Sequence, residues 1–138
     1  MFTVPHRQHH WLLAVFLCTS TVACAVNSVA QIAPETLAAQ IQTQTAPLVL
    51  DVRTPQEYAA GHIPGAINIE FRELEARLAE LPIAPDEAIV VYCEQGVRAG
   101  VAERTLAASG FTAVLHLQGD MVVWRQQKLP IARGEATP

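Results

Sequence analysis

Basic charge is scarce in this chain of 138 residues: 9 Lys plus Arg stand against 13 Asp plus Glu, and only 16% of residues are charged. The basic footprint of a nucleic-acid-binding protein is therefore missing, and no nucleic-acid partner is expected. Long apolar runs are missing too. The one candidate, which starts at Trp11 and gives way to polar residues at Thr19, falls short of the about 20 residues that cross a bilayer. No internal repeat, low-complexity tract or long Gly- or Ser-rich linker divides the remainder, and the length suits one compact domain, which excludes a two-domain enzyme. No metal-ligand spacing surrounds His62, and neither a metal nor another cofactor is expected.

The N-terminus has the layout of a secretory signal. No charged residue lies between Arg7 and Glu35. Arg7, with His6, His9 and His10 beside it, precedes the apolar run Trp11-Leu12-Leu13-Ala14-Val15-Phe16-Leu17-Cys18, and small and polar residues follow as far as Ser28-Val29-Ala30. Small side chains at Ser28 and Ala30 fit a signal peptidase, which places the cut after Ala30, with Ala25 as second choice. The chain then divides into a cleavable signal over 1–30 and a single domain over 31–138, a periplasmic or secreted product. Two other readings stay open: a lipoprotein signal, Thr21-Val22-Ala23 before an acylated Cys24, and an uncleaved anchor. Without lipidation of Cys24 no stable membrane association is expected. The histidine cluster is read as a polar leader and not as a metal site.

Cysteine is nearly absent from the rest. A cut after Ala30 removes Cys18 and Cys24 and leaves Cys93 alone among the 3 cysteines. A lone thiol forms no internal disulfide, and in an oxidising compartment it is a liability unless buried and inert or kept for its reactivity.

Helical and strand-like patterns alternate along the domain. Pro34-Glu35-Thr36-Leu37 opens a helix to about Gln44, with Pro34 in its first turn and Glu35 favourable to the dipole. Leu48-Val49-Leu50-Asp51 is a short apolar run, as expected of a strand covered on both faces. Thr54-Pro55-Gln56-Glu57 is a capping-box start for a helix to Ala60, stopped by Gly61. Ile67 and Ile69 flank Asn68 as in a brief strand. Phe71, Leu74, Leu78 and Leu81 have the spacing of a one-sided helix ended by Pro82. Ala88 to Tyr92 is the clearest buried strand, Arg98 or Ala99 to Ser109 suits a helix with Gly110 as its cap, and Thr112 to Leu117 is another strand. After the turn Gln118-Gly119-Asp120, a last helix runs from about Val122 to Gln127, ahead of a polar tail to Pro138. Such alternation predicts an α/β fold with a parallel sheet covered on both faces by right-handed crossovers.

In an open parallel sheet, sites form where strands end and helices begin, because loop amides and the helix N-terminus converge there on negative charge. Cys93 sits at that point, and Glu94-Gln95-Gly96-Val97-Arg98 leads into the next helix. A thiolate there accepts hydrogen bonds from loop amides, feels the positive end of the dipole and lies near the Arg98 guanidinium, all of which lower a thiol pKa. The plain alternative is a small hydrophobe closing the strand. Gly96, which permits a tight loop, and Arg98, aimed at an anion, favour a nucleophile. Glu94 argues the other way unless its carboxylate points to solvent, and that orientation is expected.

The run Leu48-Val49-Leu50-Asp51-Val52-Arg53-Thr54-Pro55-Gln56-Glu57-Tyr58, followed by Gly61-His62-Ile63-Pro64-Gly65-Ala66-Ile67-Asn68-Ile69, resembles the rhodanese homology domain. The strand Ile89 to Tyr92, the loop Cys93 to Arg98 and the stretch Gly119-Asp120-Met121 to Trp124 resemble it in the same order, from about Ile32 to Pro130, and a leader before one such domain is similar to small periplasmic rhodaneses. The resemblance implies a rhodanese-like five-stranded parallel sheet with helices on both faces. It implies a thiosulfate sulfurtransferase whose cysteine cycles through a persulfide. Sulfane sulfur would come from thiosulfate or a similar small-molecule donor and pass to cyanide, a thiol or a sulfur-accepting protein. Carried over by position, Cys93 is the nucleophile, Glu94, Gln95, Gly96 and Val97 supply backbone donors, and Arg98 holds the oxyanion end of the donor.

The chain departs from the family pattern at Ala99, where many members have Ser, and at Asp120, which replaces a common glycine and puts the shape of the final turn in question. Loop length bears on the nearest rival. Cysteine phosphatases and arsenate reductases of the same fold have a wider ring, whereas 4 residues separate Cys93 from Arg98 here, a smaller pocket suited to sulfane sulfur. A non-turnover persulfide carrier or an interaction module is the other alternative. Asp51 with Arg53, and His62, are read as structural groups fixing chain turns. His116, in a strand with no partner evident, is read as structural, and Trp124, at helical spacing from Met121, as core packing.

Overall fold

The computed structural model describes residues 28–134. Residues up to Asn27, where the sequence suggested a signal segment, with their histidines, Cys18 and Cys24, and the end of the tail lie outside the described residues. Strands β1 (Ala30–Ile32), β2 (Leu48–Asp51), β3 (Ile67–Asn68), β4 (Ile89–Tyr92) and β5 (Val114–Leu117) form one parallel sheet in the order β1-β5-β4-β2-β3. Helices α1 (Pro34–Gln42), α2 (Pro55–Ala60), α3 (Leu74–Arg77) and α4 (Val97–Ala108) connect them, and α5 (Asp120–Gln126) follows β5. No helix among the described residues is long and apolar enough to cross a membrane.

Alternation along the strands divides the core in two. Val49, Val90, Tyr92 and Leu117 pack with Leu37 and Ala38 of α1, Tyr58 of α2, and Met121 and Trp124 of α5. Leu50, Ile89 and Val91 face the other way, onto Leu74 of α3 and Ala99, Ala102 and Leu106 of α4. A strand with apolar residues at successive positions is stable only between two such layers, because either face left in water forfeits about 1.5–3 kcal/mol per large side chain. Trp124 fills the first layer fully buried, and its indole Nε1 donates to Pro130 O at 2.8 Å, a packing role as expected.

The capping box forms as the sequence predicts: Glu57 N donates to Thr54 Oγ1, and Thr54 N donates to Glu57 Oε2. The helix expected from Phe71 to Leu81 is broken up instead, into a turn, the single helical turn α3 and a 3₁₀ turn at Leu78–Glu80. Phe71 N donates to Val52 O and Ile69 N to Asp51 O, so the start of the segment is tied to the end of β2 and cannot begin a straight helix. The other departure is β1. Ala30, Gln31 and Ile32 pair with Leu115, His116 and Leu117, at the place where the sequence suggested a leader junction. A cut after Ala30 would take the first residue of this strand, and one after Ala25 would leave it whole.

Candidate active site

The carboxyl ends of β2 and β4, adjacent in the sheet, place two loops side by side. Val52 N donates to Tyr92 O at 3.1 Å, joining them one residue past the strands. Cys93 follows β4, and the chain turns at once into α4 through Gly96, whose φ of 96° lies in the left-handed region that only glycine enters without cost. Cys93 is buried against the α4 layer, and Gly96 N donates to its Sγ at 3.0 Å. A shallow pocket of about 270 Å³ is lined by Cys93, Glu94, Gln95, Val97 and Arg98. Five of the six residues singled out in the sequence thus line it, and the sixth, Gly96, provides the amide on the sulfur. Val97, 80% exposed, forms an apolar rim. Helix α4 begins at Val97, one residue before the earlier of the two starts the sequence suggested, and Arg98 belongs to its first turn.

Arg98 has a partner that the sequence alone does not reveal. Its Nη1 and Nη2 donate to Glu57 Oε2 and Oε1 at 2.7 and 2.8 Å, a bidentate pair closed across 41 residues of chain. The pair raises the Arg98 pKa, with Cys93 as a smaller cause. It pushes the Glu57 carboxyl down to about 2, against burial and with help from the Thr54 cap. Glu94 is not simply turned to solvent. Its carboxylate pairs with Arg125 and, at 3.4 Å, with Arg53 Nη1, so two guanidinium groups answer the charge next to Cys93. Asp51 and Arg53 are fully buried and joined by Nη2 to Oδ2 at 2.6 Å, and Arg53 Nη2 also donates to Gly61 O at 2.8 Å. That is the turn-fixing role expected of them. His62 is likewise a turn residue: its Nδ1 lies 2.8 Å from Tyr58 O and its ring stacks on Tyr58.

Asp120 and His116 are where the sequence reading falls short. Asp120 keeps a left-handed φ of 53°, the conformation a glycine would adopt freely, at a cost of about 1–2 kcal/mol. Two hydrogen bonds offset it: Oδ1 accepts from Cys93 N at 2.7 Å, and Oδ2 lies 3.1 Å from His116 Nε2. The amides of Met121 and Val122 donate to Cys93 O and Glu94 O, which clamps the start of α5 to the loop. His116 therefore has partners, with Nδ1 bonded to the buried Glu103 of α4. Asp120 first, then Glu103, raise its pKa to about 10 against burial.

These shifts predict a pH profile of stability. Glu57, lowered in the fold, contributes stability that is present above its ordinary 4.5 and lost as pH falls towards about 2. His116, raised in the fold, contributes stability that is full below its ordinary 6.5 and lost as pH rises through about 10. Melting temperature should peak between about pH 4.5 and 6.5 and fall on both sides. Glu57→Gln should flatten the acid limb and His116→Gln the alkaline one, and limbs unchanged in these variants would disprove the assignment.

The rhodanese-like domain family matches residues 33–127. A sulfurtransferase of Allochromatium vinosum is 34% identical over 105 residues, 76% of this chain and 96% of that protein. The thiosulfate sulfurtransferase PspE of Escherichia coli is 36% identical over 70 residues, 51% of this chain and 67% of the relative. An uncharacterized Synechocystis protein is 32% identical over 117 residues, 85% of this chain, which spans only 64% of that protein. Among solved structures, the rhodanese-like domain of the Anabaena Alr3790 protein superposes with a TM-score of 0.68 at 24% identity, covering 77% of this chain and 80% of that one, a likeness of fold.

Proposed function

The chain belongs to the rhodanese-like domain family, and we propose that it is a sulfurtransferase that carries sulfane sulfur on Cys93 as a persulfide. The observation that carries this reading is the placement of Cys93 Sγ at the end of the central strand β4, accepting from Gly96 N within a tight loop at the start of α4. A backbone donor held in that way stabilises the attacking thiolate, and the pocket lined by Cys93, Glu94, Gln95, Val97 and Arg98 gives room for the outer sulfur, on which a persulfide carries its negative charge. The Cys93 thiolate attacks the outer sulfur of thiosulfate, the sulfur–sulfur bond to the sulfonate breaks, and sulfite leaves with the electron pair. Cyanide or a thiolate acceptor then attacks the outer sulfur of the persulfide, and the Cys93 thiolate departs. The cycle needs no outside oxidant or reductant.

Intact-mass measurement after incubation with thiosulfate, and again after cyanide, tests the reading. One added sulfur that cyanide discharges over many turnovers is the expected result. A stable load that cyanide cannot remove indicates a carrier with a specific protein acceptor, and no load on reduced Cys93 overturns the proposal. The donor is thiosulfate or a related anion, with Arg98 holding its charged end. Because Glu57 already engages both terminal nitrogens of Arg98, carboxylate and donor compete for the same guanidinium. Arg98→Ala should raise the KM for thiosulfate more than that for an uncharged persulfide. Glu57→Gln should lower the KM for thiosulfate several-fold with kcat little changed. Equal effects on both donors would make Arg98 a loop-shaping residue.

Export to the periplasm or the medium is part of the same proposal and rests on the leader sequence. N-terminal sequencing of the processed protein tests it and distinguishes Ala25, Ala30 and a lipidated Cys24.

A further inference from the structure

Beneath the Cys93 loop, three charged side chains from three elements meet: Glu103 of α4, His116 of β5 and Asp120 at the start of α5. Glu103 and Asp120 are 7% and 2% exposed, so neither carboxylate can rely on water for a partner. Each ring nitrogen of His116 faces a carboxylate oxygen, and only an imidazolium has a hydrogen to donate from both. The second oxygen of Asp120 accepts from the amide of Cys93 itself. Gly96 lies against the same groups, since a Cβ there would come within 3.1 Å of Asp120 Oδ2 and 3.5 Å of His116 Nε2. The network therefore touches the loop at the two residues that place the sulfur and its amide donor.

We infer that Glu103, His116 and Asp120 are positioning residues of the Cys93 site, Asp120 orienting Cys93 through its amide while the His116 cation offsets the Asp120 charge that would otherwise oppose a thiolate or persulfide. The inference rests on the reading of Cys93 as the nucleophile. Other charges around the sulfur are already matched: Arg98 by Glu57, and Glu94 by Arg53 and Arg125. Those facing His116 are Asp120 and Glu103. With His116 charged, the trio carries one net negative charge. Removing the histidine charge leaves two, and removing the Asp120 charge leaves none.

The two changes should move the thiol in opposite directions, which a merely structural role would not. The rate of Cys93 alkylation by iodoacetamide across pH reads this without any sulfur donor. In the full chain, His116→Gln should raise the thiol pKa and slow alkylation near neutral pH by about tenfold. Asp120→Asn should lower it and speed alkylation by a comparable factor, and the double variant should return towards wild type. Shifts in the same direction, or none, would overturn the inference. Should His116→Gln fail to fold, the nitrogen-15 spectrum of the unmutated protein at about pH 8 decides: both His116 nitrogens protonated is expected, and a neutral tautomer overturns it. Failure of the sulfurtransferase reading has a different signature, namely no sulfur load from thiosulfate in a protein whose alkylation shifts are as described.

Discussion

Replacing Cys93 with serine is expected to abolish sulfur transfer, a fall of at least about 10³-fold, while leaving the fold intact. The two halves of that expectation have separate causes. A hydroxyl stays protonated at neutral pH, makes a far poorer nucleophile and cannot form the sulfur–sulfur bond in which the transferred atom is held. The fold, by contrast, asks little of the thiol. Cys93 is buried beside Ala99 and Ala102 and accepts one hydrogen bond from Gly96 N, which a serine oxygen can also accept. The backbone contacts of this residue, its amide to Asp120 and its carbonyl to Met121 N, do not involve the side chain. Circular dichroism and melting should therefore match wild type closely, and mass spectrometry after thiosulfate should show no added sulfur. Retained turnover in the serine variant would remove Cys93 from the mechanism.

The site was legible in the sequence where its chemistry is local. Cys93, Gly96 and Arg98 lie within one strand-loop-helix unit, and the capping box Thr54 to Glu57 is written in four consecutive residues. The features that tune the site are not local. Glu57 meets Arg98 only because β2 and β4 pair side by side, and Glu103, His116 and Asp120 converge from the ends of three elements. His116 and Asp120 are four residues apart across a turn, a spacing that becomes informative only once Gly119 and Asp120 are known to be left-handed. Gly119 is required there, since a Cβ would sit 2.1 Å from Val123 Cγ2. Strand β1 escaped for a different reason: 3 residues at a sheet edge carry too short a pattern to stand out from the uncharged, largely apolar sequence before them. The broken helix at Phe71 shows the converse, a convincing apolar period overridden by backbone hydrogen bonds to the neighbouring strand.

Arg53→Met should be the most damaging substitution for stability, costing about 3–5 kcal/mol. Arg53 is fully buried, and its guanidinium donates to both oxygens of Asp51, to Gly61 O and, more weakly, to Glu94. Methionine fills much of the same volume, so the loss is not mainly one of packing. What remains is a carboxylate at the end of β2 with no exposure to water, still bonded to Arg53 N but with its counter-charge gone. In a chain whose total stability is of the order of 5–15 kcal/mol, the expected fall in Tm is roughly 15 °C or more. Asp51→Asn in the same background removes the stranded charge and should recover a large part of the loss, which a simple packing defect would not allow. Acid should act in the same direction, narrowing the gap between Arg53→Met and wild type as the stranded carboxylate takes up a proton. A variant melting within a few degrees of wild type, or a double variant no better than the single, would show that the pair is not what holds this turn. The consequence reaches the sulfur. Arg53 ties Gly61, at the end of α2, to Asp51 and helps neutralise Glu94 beside Cys93, so the variant should also alkylate more slowly at Cys93 under conditions where it remains folded.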